Sequence, residues 1–88
     1  MPQIPDAKGT TTEDEYIHIE YRDPDQFDTI RTPDWADRVS DSVSEGSEVR
    51  MGKRTDDEWV VQSVLIQKNV GEEKAREQAD EVLRKIES

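Results

Sequence analysis

The chain contains no cysteine. That excludes a disulfide framework, a thiolate nucleophile and a thiolate metal site. It contains one histidine, His18. A Ser-His-Asp arrangement would have only this base to use, and a zinc site would need carboxylates for its other ligands, which is uncommon in structural sites. Its four glycines stand far apart, so neither G-x-x-x-x-G-K-[ST] nor G-x-G-x-x-G occurs. A nucleotide held by a glycine loop is therefore not expected. No run of about 18 apolar residues exists, which argues against a transmembrane helix. The opening residues lack a basic stretch leading into an apolar one, so no secretory signal is expected.

What is present is charge. Of 88 residues, 39% are charged and 31% hydrophobic, enough for one small domain. Acids outnumber bases 22 to 12, a net charge of −10, and the bases are seven Arg and five Lys. Such acidity has three readings. High charge with low hydrophobicity can mark disorder. A nucleic-acid mimic presents carboxylates where phosphates would sit, but it wants them in a regular stripe, and these are dispersed over every segment. A halophilic protein carries a carboxylate-rich, lysine-poor surface that keeps it soluble in molar salt. The patterned segments below argue against disorder, and the bias toward Asp, Glu and Arg resembles that of haloarchaeal proteins. The expectation is a small, halophilic, cytoplasmic domain.

Residues 1–14 hold Pro2, Pro5, Gly9 and the run Thr10-Thr11-Thr12 without hydrophobic period, and read as a flexible tail preceding a single domain over 15–88. Ile17, Ile19 and Tyr21 alternate with polar residues over 15–22, the pattern of a half-buried strand, which Asp23-Pro24-Asp25 ends. Phe27 and Ile30 stand as isolated apolar residues in a polar connection. Thr32-Pro33-Asp34 is a helix start. Trp35, Val39 and Val43 follow at spacing four, so a helix over 33–44 with Trp35 in the core is predicted, closed by Gly46. A second strand is predicted over 47–52, a turn at Arg54-Thr55-Asp56-Asp57, and a third strand over 58–67, apolar on both faces except at Gln62 and Ser63. From Glu72, the positions Ala75, Ala79, Val82, Leu83 and Ile86 predict a helix, with acids in its first turn and bases in its last.

The order strand, helix, strand, strand, helix gives a two-layer α+β fold. Its sheet is expected to have three strands in the order 1-3-2, the most apolar in the middle, with both helices on one face, resembling half of a ferredoxin-like split unit. The order 1-2-3 would leave the apolar strand on an edge.

No constellation carries catalysis, so an enzyme, a cofactor and a small-molecule substrate are not expected. His18 reads most simply as a surface strand residue. Asp23, Asp25 and Asp28 form D-x-D-x-x-D without the glycine and distal Glu of a calcium loop, and read as a turn. Two features rise above this background. Arg50, Lys53 and Arg54 stand together with no acid from 49 to 54, on the only stretch that is not acidic overall. This is a candidate contact for RNA phosphate or an acidic partner, although sheet residues are commonly less charged than helix and loop residues. Second, strict alternation puts Trp59, Val61 and Leu65 on one face of the third strand and Val60, Val64 and Ile66 on the other, while two helices shield only one face. An uncovered apolar patch marks an interface, unless the tail or Phe27 and Ile30 fold over it. The candidate surface is Tyr16, His18, Arg50, Lys53, Arg54, Trp59, Val61 and Leu65. The expected function is a non-enzymatic interaction module, self-associating as a homodimer or docking on another protein through its open sheet face. The alternative is an RNA- or ribosome-associated protein using the hairpin bases and sheet aromatics. A charge at Val61 is expected to leave the fold intact, and one at Val64 to unfold it.

Overall fold

The computed structural model describes residues 6–54 and 58–87. Residues 1–5 of the expected tail and 55–57 of the expected turn lie outside the described residues. Five strands form one antiparallel sheet: β1 (Gly9–Glu13), β2 (Tyr16–Glu20), β3 (Thr29–Arg31), β4 (Glu48–Lys53) and β5 (Val60–Gln67). Their order is β1-β2-β5-β4-β3. Helix α1 (Asp34–Val43) joins β3 to β4, and α2 (Glu72–Glu87) ends the chain.

The three-stranded sheet expected from the sequence is therefore corrected to five strands, with β2, β5 and β4 in its interior. The added strands are the two edges. β1 lies inside the stretch read as a tail. Its threonines are β-branched and favour a pleated strand, but four of its five residues are exposed, so no hydrophobic period announces it. Its hairpin with β2 turns through Asp14 and Glu15, and Asp14 adopts φ 52°, a left-handed conformation that Asp tolerates. β3 has three residues, all exposed, and is too short to show a period.

Ile17, Ile19 and Tyr21 face the helices together with Val49, Met51, Val61, Val64 and Ile66, against Ala36 of α1 and Ala75, Ala79, Val82 and Leu83 of α2. Both helices thus cover one sheet face. Helix α1 is rotated from the expected stripe. It buries Ala36 and Ser40, while Trp35 is 49% exposed, so Trp35 is corrected from core to surface. The small residues let α1 approach closely, and the Ser40 hydroxyl is satisfied by Ser47 Oγ at 2.6 Å.

Alternation along β5 is broken once. Arg50 pairs with Ser63, but the next residue, Met51, pairs with Val61, so Gln62 is an extra residue in β5. This β-bulge turns Val61 to the same side as Val64. Its polar groups are met: Gln62 Nε2 donates to the Arg22 carbonyl at 2.9 Å, and Ser63 Oγ donates to Gln62 Oε1 at 2.9 Å. An ion pair pins the bulge. Arg22 reaches both carboxylate oxygens of Glu87 at 2.8 and 2.9 Å and the Val61 carbonyl at 2.7 Å, while the Val61 N–H donates to Glu87 at 2.8 Å.

Candidate functional site

Neither helix covers the opposite sheet face, over which Phe27 lies at Gly52, and the strand register arranges its side chains in rows. One row runs Glu13, Tyr16, Gln67; the next Thr11, His18, Leu65, Glu48; the third Gly9, Glu20, Ser63, Arg50. Beyond the bulge follow Val60, Gly52 and Ile30. Neighbouring strands lie about 4.8 Å apart, so His18 and Glu48, like Glu20 and Arg50, stand roughly 10 Å apart across β5. At the centre Leu65 and Ser63 are each 3% exposed. Leu65 is thus buried without belonging to the helix-side core.

Four of the eight candidate residues meet on this face: Tyr16, His18, Arg50 and Leu65. The bulge removes two others. Val61 is in the core, and Trp59, two residues before it, packs against that core, partly buried. The apolar patch expected from Trp59, Val61 and Leu65 together is therefore overturned. Lys53 lies on the helix side as well, its ammonium 5.8 Å from the centre of the Trp59 ring, a cation–π contact. Arg54 donates to the Gln26 carbonyl at 2.8 Å. The basic cluster of Arg50, Lys53 and Arg54 is accordingly split between the two faces and the sheet margin, and does not form one patch.

Glu48 escaped the sequence reading of this face, whereas Glu20 belongs to the polar alternation of β2 and Phe27 is the cover that the sequence offers. Glu20 and Glu48 flank β5 and are exposed. Phe27 lies over Gly52, where a Cβ would overlap its ring. A glycine inside a strand is the signal that could have disclosed this close approach. With Glu13, Glu20 and Glu48 against Arg50, the face is net acidic. Among the described residues, none of the side chains of His18, Glu20, Glu48 and Arg50 makes an ion pair or hydrogen bond.

Two clefts border the face. One of about 720 Å³ is lined by Asp14, Glu15, Tyr16, Gln67, Lys68 and Asn69. The other, about 490 Å³, lies between Arg22, Phe27, Arg54 and Val60. His18 lines neither of them. Asp23 of the D-x-D-x-x-D run caps a single 3₁₀ turn, accepting from the Asp25 N–H at 2.9 Å. Among the described residues, no three His, Asp or Glu side chains are grouped to hold a metal ion. None of the described helices is long and apolar enough to cross a membrane. Burial, and then the hydrogen bond from its hydroxyl to Asp80 at 2.6 Å, push the Tyr21 phenol far above its ordinary pKa. Tyr21 faces the core, away from the open face. No family model, curated protein or solved structure matches the chain.

Proposed function

We propose that the protein is a non-enzymatic interaction module that docks a protein partner on the open face of its sheet. The observation that carries this reading is the state of that face. It is built on three interior strands, neither helix covers it, and Phe27 lies over its Gly52 end. Among the described residues the side chains of His18, Glu20, Glu48 and Arg50 are unpaired, while those of Arg22 and Glu87 are satisfied. Charged groups that no neighbour in the fold satisfies are available to a partner's complementary charges. Tyr16 and His18, each half-buried, add ring surface beside them.

A protein partner fits better than RNA. The face is net acidic, and phosphate would be repelled by Glu13, Glu20 and Glu48. The bases that would have answered it are dispersed. In the test, the chain and its His18→Ala/Arg50→Ala variant are immobilised, and the proteins each retains from the source cell at its native salt are compared. Both positions are at least partly solvent-accessible, so the variant is expected to keep its circular dichroism and lose the specific partner. Identical retention by both chains would end the reading. Nucleic acid retained by the wild type and lost by the variant would favour the RNA alternative.

A further inference from the structure

The open face is self-complementary. Around Leu65 and Ser63 its four polar corners are His18 and Glu20 on β2, and Glu48 and Arg50 on β4. Acids occupy one diagonal; the cation and the imidazole occupy the other. Such a checkerboard matches itself when it is turned over. We propose that the partner of this face is a second copy of the chain, packed face to face about a two-fold axis that runs along β5. This rests on the docking reading above and names its partner.

The axis follows from the register. A two-fold along β5, between two facing sheets, exchanges β2 with β4 and keeps each row level. Glu20 then meets Arg50 of the second copy, and His18, as a hydrogen-bond donor, meets Glu48. Each contact occurs twice, as an isologous interface requires. Leu65 lies over Leu65, and Ser63 over Ser63. Aligned packing of two twisted sheets holds such pairs near the axis, and these rows are the ones that flank it. A two-fold perpendicular to the strands would also oppose complementary groups, Glu48 to Arg50 and Glu20 to the His18 donor, but it would set Leu65 against Ser63. Leu65 and Ser63 are each 3% exposed, so the corner groups carry the contact, and the axis along β5, which keeps every row level, is the one proposed.

The net charge of −10 on each copy opposes this association. At about 1 M salt, where the Debye length is about 3 Å, that long-range repulsion is screened, while contacts enclosed between the sheets are screened less. A patch of three strands by three rows is small, so the dimer is expected to depend on concentration.

Mass in solution at about 1 M KCl decides the proposal, measured by analytical ultracentrifugation up to about 1 mM chain, where even an association of about −4 kcal/mol is half-populated. The wild type is expected to approach a doubled mass. Arg50→Glu sets like charges face to face and is expected to weaken the dimer at least about tenfold. Arg38→Glu, on the exposed side of α1, changes the net charge equally and is expected to leave the dimer intact. The double exchange Glu20→Arg/Arg50→Glu restores every contact across the proposed axis and is expected to restore the dimer. Across the perpendicular axis the same exchange would set Glu48 against the new glutamate and fail, whereas Glu48→Arg/Arg50→Glu would succeed. Rescue by the second exchange alone overturns the proposed axis. A wild type that stays monomeric, or an Arg50→Glu chain that dimerises like the wild type, overturns self-association. The docking reading then stands or falls separately, on the pull-down with His18→Ala/Arg50→Ala.

Discussion

Tyr21 is the largest fully buried side chain, and its hydroxyl is tied to Asp80 at the surface of α2. Its phenol pKa is raised in the fold from an ordinary 10.0. Below that pH both folded and unfolded chains keep the proton, and the stabilisation is whole. Above it the unfolded chain ionises while the folded chain does not, so stability falls as pH rises, by about 1.4 kcal/mol per pH unit for one proton. Denaturant midpoints taken from about pH 9 to 11 are expected to fall in the wild type, with that slope abolished in Tyr21→Phe. At pH 7 the same variant is expected to lose about 0.5–1.5 kcal/mol, the net worth of its hydrogen bond. An unchanged alkaline slope in Tyr21→Phe would count against this. Two of the positions that the sequence misassigned make a second test. Val61→Glu is expected to unfold the chain, because it would bury an unpaired charge in the core. Trp35→Ala is expected to cost about 1 kcal/mol, against the 3–5 of a fully buried Trp. Circular dichroism of the first variant and denaturation of the second check both.

At the scale of elements, the bulge in β5 decides which residues the open face displays. Glu87 lies in the last turn of α2, where the helix dipole disfavours an acid, and Arg22 offsets that by clasping both of its oxygens. The same carboxylate accepts the Val61 N–H. Helix end and bulge are thus held by one group. Glu87→Gln is expected to cost about 1.5–3 kcal/mol, the range for hydrogen bonds to charged groups. It is also expected to speed hydrogen exchange at the Val61 amide more than at Val64 in mid-strand. Equal acceleration at both amides would mean that Glu87 serves general stability and does not pin the bulge.

For the whole molecule, charge and core size compete. The Cα radius of gyration is 12.0 Å, close to the ~12 Å of a folded domain of this length, so the acidity is housed on a folded surface. Self-repulsion of ten net negative charges opposes that folding. The melting temperature is expected to rise as KCl increases from about 0.1 to 2 M, because screening shortens the reach of that repulsion. A cooperative fold at low salt whose melting temperature does not move would remove the halophilic reading.

Periodicity by itself determined β2, β4 and α2, because each buries one continuous face and so writes that face into the chain at a period of two or 3.6, and β5 was legible as a short run apolar on both faces. The cap signal of Thr32-Pro33-Asp34 also placed the start of α1. Tertiary structure alone decided the rest. The edge strands β1 and β3 are exposed, leave no apolar trace, and exist because β2 and β4 offer them backbone partners. The rotation of α1 was decided by how closely Ala36 and Ser40 let it approach, which outweighs the size of Trp35. The bulge at Gln62 was decided by the Arg22–Glu87 clasp, between residues 65 apart in sequence. From that one inserted residue follows the composition of the open face: Val61 and Trp59 pass to the helix side. What remains around Leu65 is a square of acids alternating with Arg50 and His18, drawn from β2 and β4 on either side of β5, which no single stretch of sequence contains.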